Sequence, residues 1–378
     1  MEKDQASKFI HDLLKHAASK NASDIFITSD FPPAMKIDGK ITPVAPQALT
    51  AQHCKELVRS VMNDRQMEEF ESSSEANFAI SPPGIGRFRV SAYMQQGKAG
   101  MVLRKINTEI PTLDQLKMPA VLKDVAMIKR GLVIFVGGTG SGKSTSLAGL
   151  VDWRNSTAAD HIITLEDPIE YVHQHKKSII TQREIGVDTE SWEVALKNTL
   201  RQAPDVILMG EIRDRESMMY GLQFAETGHL CLATLHANNA NQALDRILNF
   251  FPEERHQQVL MDLSLNMRAI VSQRLIPLKQ VKGRVAAVEI LLNSPLIADL
   301  IFKGEVSGIK EVMSRSRETG MQTFDQALFE LYESGQISFE DALRNADSVN
   351  DLRLKIKLYG EESKHSDPLG GLDHLDIV

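Results

Sequence analysis

The octapeptide Gly137-Gly138-Thr139-Gly140-Ser141-Gly142-Lys143-Ser144 constrains this chain more than any other stretch. It matches G-x-x-x-x-G-K-[ST], the phosphate-binding P-loop. The residues before it, Leu132-Val133-Ile134-Phe135-Val136, form an apolar, β-branched run that reads as a buried parallel strand. Residues 145–153 contain no proline and read as a helix. The motif therefore lies between a strand and a helix N-terminus. There, glycines let the backbone approach phosphates, successive N–H groups form a nest, and the helix dipole favours an anion. Gly137 to Thr145 are the candidate ATP-binding residues: Gly137, Gly138, Thr139, Gly140, Ser141, Gly142, Lys143, Ser144 and Thr145. Lys143 would reach the β- and γ-phosphates, and the Ser144 hydroxyl would sit on Mg²⁺.

A chain of 378 residues exceeds one ordinary compact domain, so two are expected. Hydrophobic residues at 42% and charged residues at 25% are normal for a soluble globular protein. The formal net charge of −7 disfavours broad nucleic-acid binding. Cys54 and Cys231 are far apart in apolar contexts, which indicates neither a disulfide framework nor a cysteine-based zinc site. The opening Met1-Glu2-Lys3-Asp4-Gln5 lacks the apolar run of a signal peptide, and no stretch approaches the ~18 apolar residues of a membrane span. A cytoplasmic protein is expected, with membrane association only through partners.

Along the chain, residues 5–20 carry Phe9, Ile10, Leu13, Leu14 and Ala17 at amphipathic-helix spacing. Residues 24–28 read as a strand, and Asp38-Gly39 between two alternating segments signals a hairpin. Helices are expected at 51–62 and 64–70, then strands at 75–80, 87–95 and 100–106. Residues 1–106 thus read as a small α+β domain with an antiparallel sheet, and 107–118 as a linker. From 119 to 360 strands alternate with helices, implying a parallel sheet with crossover helices and a helical region beyond Asn293. The strands are expected at 131–136, 162–165, 206–209, 230–234 and 285–291. Residues 361–378 read as a disordered acidic tail.

Val206-Ile207-Leu208-Met209-Gly210-Glu211 is an apolar strand ending in an acid, the shape of a Walker B element. Glu211 is placed to polarise the attacking water or hold it in line, and to serve as a metal residue with Ser144. An acid there could also be a helix cap; the upstream P-loop favours catalysis. Thr164-Leu165-Glu166-Asp167-Pro168-Ile169-Glu170 puts three carboxylates at another strand end, where they face Mg²⁺-nucleotide or form an exposed acidic turn. His236, in Thr234-Leu235-His236-Ala237-Asn238, could sense the γ-phosphate or bond the catalytic water. His229 reads as a structural histidine, and neither has zinc-ligand spacing.

These blocks, in this order, resemble the Walker A, Asp box, Walker B and His box of the secretion ATPases of type II secretion and type IV pili. The resemblance runs from Lys8 to Tyr359. It is closest to the pilus-retraction branch, PilT and PilU. Assembly and secretion members usually carry a four-cysteine zinc element after the His box, and no cysteine follows Cys231 here. Further matches are Arg87-Phe88-Arg89-Val90-Ser91, residues 200–205 and residues 320–328. PilT-type proteins carry an Ala-Ile-Arg-Asn-Leu-Ile-Arg-Glu-Gly-Lys-like motif. At residues 296–305 this chain lacks its arginines, and Phe302 takes one of their places. That points to the PilU-like paralogue.

The resemblance implies a PAS-like N-terminal domain, a RecA-like ATPase domain and a hexameric ring. It also implies catalytic roles for Lys143, Glu170, Glu211 and His236, with Arg89 and Arg104 supplied by the N-terminal domain and Arg87 as second choice. A guanidinium fork suits the charge spread over a transferring phosphoryl group. The implied activity is Mg²⁺-dependent ATP hydrolysis that drives or assists pilus retraction at the inner membrane. The implied partners are a PilT-type ATPase and an inner-membrane pilus platform protein; an accessory role and a RecA-like nucleic-acid motor are the alternatives. The acidic balance predicts that ATPase activity is indifferent to added DNA or RNA. Stimulation that falls steeply with salt would contradict it.

Overall fold

The computed structural model describes residues 3–106 and 109–360; the tail expected at 361–378 and the linker residues Asn107 and Thr108 lie outside them. The chain divides into two compact units. One comprises Met1–Ile110 with Asp167–Gln174 and Gln182–Ala195; the other comprises Pro111–Glu166, His175–Thr181 and Leu196–Val378.

The first unit begins with α1 (Lys3–Ser19), β1 (Asp24–Ile27), β2 (Ala34–Ile37) and β3 (Lys40–Pro43). It continues through α2 (Ala51–Ser60), α3 (Asp64–Ser73), β4 (Glu75–Ile80), β5 (Arg87–Gln95) and β6 (Lys98–Ile106). The strands form one sheet in the order β3-β2-β1-β6-β5-β4, antiparallel throughout. Thr50 caps α2 by accepting from His53 N, and Asn63 and Gln66 form a capping box on α3. Along β5, Phe88, Val90 and Ala92 are buried beside Ile10, Leu14 and Leu57. Strand alternation therefore sends Arg87 and Arg89 to the opposite face. In register, Arg89 lies opposite Arg104, and Arg104 opposite Asp24.

The second unit runs from α4 (Val121–Ala126) and β7 (Gly131–Val136) to α5 (Lys143–Thr157), β8 (His161–Glu166) and the start of β9 (Ile179–Glu184), whose residues from Gln182 on count with the first unit. Then come α6 (Trp192–Thr199), β10 (Val206–Met209), α7 (Arg215–Glu226), β11 (Leu230–Leu235), α8 (Ala240–Leu248) and α9 (Glu253–Asn266). The strands β12 (Met267–Pro277) and β13 (Arg284–Leu292) follow. The chain ends in α10 (Pro295–Lys303), α11 (Ile309–Arg315), α12 (Phe324–Glu333), α13 (Phe339–Arg344) and α14 (Val349–Tyr359). The sheet order is β13-β12-β7-β11-β10-β8-β9. Pairing is parallel from β12 to β8, and β13 returns antiparallel to β12. All six residues of β7 are buried, as a central strand covered on both faces requires.

Strands β9 and β12 are absent from the expectations above. α9 passes into β12 with Met267 already extended and no turn residue between them, so the boundary leaves no local mark. β9 is short and half polar. Arg154, 6% exposed, ties the end of α5 to its surroundings. Its Nε donates to Asp160 Oδ2 at 2.6 Å, and its Nη1 to the carbonyls of Ala126 at 2.8 Å and Ile128 at 2.6 Å. Replacing it leaves a carboxylate and two carbonyls without their donor. Arg154→Met should therefore cost about 3 kcal/mol in equilibrium urea unfolding; a change near zero would contradict this.

Candidate active site

β7 delivers the chain into the P-loop, and α5 begins at Lys143. Gly142 is left-handed, with φ +88°, and a Cβ there would stand 2.7 Å from Gln273 Nε2. A Cβ at Gly137 would stand 2.7 Å from the Gln273 carbonyl oxygen. Gln273, on β12, is 3% exposed, and its Oε1 accepts from the α5 hydroxyl of Ser146 at 2.8 Å. One residue thus braces both ends of the loop and the first turn of its helix. Nothing in the local sequence marks Gln273, because the bracing depends on β12 lying beside β7.

Lys143 Nζ donates to the carbonyls of Gly137 at 2.7 Å and Gly138 at 3.0 Å. Burial pushes the ammonium below the usual lysine range, against the opposing pull of Glu211. Ser144 is exposed, whereas the buried Ser141 Oγ has no hydrogen-bond partner among the described residues.

Glu211 follows β10 and is pinned by its neighbours. Gly210 N donates to Leu165 O at 2.7 Å, and Ile212 N donates to Thr234 O at 2.8 Å. Its Oε2 accepts from Arg213 Nε at 2.7 Å, and its Oε1 stands 3.0 Å from His236 Nε2. Adjacent parallel strands β10 and β11 end side by side, so two residues 25 positions apart in sequence meet. Ser144 and Glu211 offer the hard oxygen donors that suit Mg²⁺. The three carboxylates expected at the end of β8 divide between the two compact units. Glu166 accepts from Thr164 Oγ1 at 2.6 Å, while Asp167 and the exposed Glu170 belong to the other compact unit. Among the described residues, no group of three or more His, Cys, Asp or Glu is arranged to hold a metal.

In the first unit, Arg104 Nε donates to Asp24 Oδ1 at 2.7 Å. Burial raises the Asp24 pKa, but hydrogen bonds from Arg104 and Ser23 outweigh it and leave the carboxyl below its ordinary range. Glu184 is buried and accepts from Ile169 N at 3.1 Å. Burial pushes its carboxyl up, while that hydrogen bond and the Arg87 and Arg89 charges pull the other way. Asp24 therefore holds Arg104, and Glu184 lies within the electrostatic reach of Arg87 and Arg89; the sequence carries no signal for either role. Back in the second unit, a cavity of about 380 Å³ opens beside Gly137 and Gly138, walled by His236, Ala237, Asn238 and one face of α8.

Residues 1–344 match the family model described as "Type II/IV secretion system protein". The chain belongs to that family. It is 61% identical over 351 residues to the type IV pilus ATPase PilU of Pseudomonas aeruginosa, covering 93% of this chain and 92% of that protein. It is 40% identical over 337 residues to PilT of the same organism, described as a type IV pilus retraction ATPase, covering 89% of this chain and 98% of PilT. The crystal structure of the pilus retraction motor PilT with bound ADP superposes with a TM-score of 0.85 at 39% identity, over 91% of this chain and 98% of that one. The fold is thus that of the family: an N-terminal α+β domain and a RecA-like ATPase domain with a helical C-terminal part. Among the described residues, no helix is long and apolar enough to cross a membrane.

The brace at Gln273 gives a direct test. Gly142→Ala puts a methyl group against Gln273 Nε2 on a left-handed backbone, and should weaken ADP binding at least about tenfold with the circular dichroism spectrum unchanged. Gln273→Ala should relieve part of that loss in the double variant; strictly additive effects would show that the two residues do not meet.

Proposed function

We propose that this protein is a Mg²⁺-dependent ATPase of the type IV pilus machinery that powers or assists pilus retraction. The observation that carries the reading is the Glu211–His236 pair at the ends of β10 and β11, with Lys143 at the start of α5 drawn by the Glu211 charge, in a chain this similar to PilU and PilT. The P-loop amides from Gly137 to Thr145 grip the phosphates, and Lys143 leaves its two loop carbonyls for the β- and γ-oxygens. The Ser144 hydroxyl, with Glu211 nearby, would hold Mg²⁺, which would supply positive charge to offset that of the phosphate oxygens.

Glu211 orients the attacking water and draws on its proton. The water oxygen bonds to the γ-phosphorus as the bond from that phosphorus to the β–γ bridging oxygen breaks. The electron pair leaves with ADP, and the proton passes to the phosphate or to solvent. His236 holds Glu211 on one side and Arg213 on the other, which fixes the carboxylate's direction. Arg89 and Arg104 of the N-terminal unit, backed by Glu184 and Asp24, are the arginines offered to the developing charge, and Glu170 acts as a further acid of that site. Loss of the γ-phosphate removes the attraction between lobes and loosens a mechanical joint. The working form is a hexameric ring on the cytoplasmic side of the inner membrane, engaging a pilus platform protein.

A second reading makes the protein an accessory subunit of a PilT-type motor. It draws on α10, where Phe302 is 44% exposed in place of an arginine. Retraction in a strain lacking the PilT-type partner would exclude it.

Glu211→Gln should keep ATP binding and lower kcat by at least about a hundredfold. Chelating Mg²⁺ should abolish turnover of the unaltered protein. Full turnover by Glu211→Gln would remove that carboxylate from the mechanism.

A further inference from the structure

The cavity beside the P-loop is lined in part by side chains of α8 that no step above uses, Arg246 among them. On α8, Ala240, Ala243, Leu244 and Ile247 are buried. The helical period therefore brings Gln242, Asp245, Arg246 and Asn249 out on the opposite face, and all four line the cavity. Its volume of about 380 Å³ lies within the ~300–1,000 Å³ of small-molecule sites. The face is firmly held. Asn239 caps α8 by accepting from Gln242 N at 2.9 Å, and the buried Glu289 accepts from Ala240 N at 2.8 Å. Gln242 is partly committed, because its Oε1 accepts from Asn238 N at 3.2 Å. Arg246 is not: among the described residues it makes no ion pair, and its guanidinium carbon stands 6.0 Å from the Phe250 ring.

The cavity lies at the γ-phosphate end of the loop. Lys143, the residue that meets the terminal phosphates, bonds the carbonyls of Gly137 and Gly138, and those two glycines form the cavity wall. His236 forms another part of the wall and bonds Glu211, the water-orienting acid. In an in-line displacement the water enters opposite the leaving group. The phosphorus therefore moves toward the water side, away from ADP and toward His236.

We propose that this cavity is a phosphate-exit site, in which Arg246 receives inorganic phosphate after cleavage. The proposal rests on the ATPase reading and deepens it by assigning the route of one product. Asp245, on the same face, opposes an anion. That opposition keeps the affinity low, and a product station that must empty at every turnover requires this.

The experiment uses the full-length protein, with inorganic phosphate as the probe. Product inhibition of ATP hydrolysis by phosphate and the Kd of ADP are measured for the unaltered chain, Arg246→Ala, Arg246→Lys and Asp245→Asn. Arg246→Ala should raise the phosphate inhibition constant about tenfold or more, the weight of one charge-assisted hydrogen bond. Its ADP Kd should stay within about twofold, a shift far below one such bond. Arg246→Lys should recover part of the loss, and Asp245→Asn should move the inhibition constant the other way, toward tighter phosphate. An inhibition constant unmoved in Arg246→Ala would overturn the proposal. So would a parallel loss of ADP affinity, which would assign Arg246 to the nucleotide grip, or a weaker constant in Asp245→Asn, which would mark a structural role for the face. An unaltered chain that binds ADP and hydrolyses ATP keeps the parent reading whatever the variants do; one that does neither removes both.

Discussion

Backbone N–H groups that converge on one anion have no partner of their own class, and a fold that holds them so must support them from outside. That constraint governs the second unit. β7 is fully buried between β12 and β11, and it anchors the loop where it starts. Gln273 braces the loop at Gly137 and Gly142 and takes the Ser146 hydroxyl of α5. The glycines are required by contact as much as by torsion, because a side chain at either position would collide with Gln273. Preorganisation of this kind keeps the donors aimed before a phosphate arrives, so little reorganisation remains at the moment of reaction.

The charges around the loop follow a second rule: each is held by a neighbour that also limits it. Lys143 sits on two carbonyls and is partly desolvated, so its positive charge is costly until an anion offsets it. Glu211 is stretched between Arg213 and His236, which sets its orientation. Farther off, Glu289 is fully buried and takes Ala240 N and the Ser272 hydroxyl on one oxygen, and burial pushes its carboxyl up. It holds the start of α8, so a residue with no access to solvent fixes the wall of the cavity beside the P-loop.

In the first unit the same logic appears in a sheet. The register Asp24–Arg104–Arg89 across β1, β6 and β5 puts one acid at the end of a row of cations. Asp24 orients Arg104 directly, and Glu184 faces Arg87 and Arg89. An arginine fixed by a carboxylate, as Arg104 is, presents its guanidinium in one direction instead of sampling many.

The local chemistry of this protein was legible in its residues. The P-loop, the acid after β10 and the histidine after β11 are short contiguous signals, and the apolar runs of β7, β10 and β11 announce buried strands by composition alone. Hairpin β2–β3 was readable from Asp38-Gly39 for the same reason. What lay out of reach was every feature made by partners distant in the chain. β12 follows a helix without a turn signal, and its Gln273 touches a loop about 130 residues earlier, a separation over which linear pattern carries no contact information. Asp24, Glu184 and Glu289 are ordinary acids in sequence and become supports only because strand order brings a cation or a helix end to each. Periodicity and motif chemistry depend on near neighbours, so the sequence determined the elements and the reactive groups. Strand order and burial depend on the whole chain, so only the tertiary structure decided which buried side chains hold those groups in place.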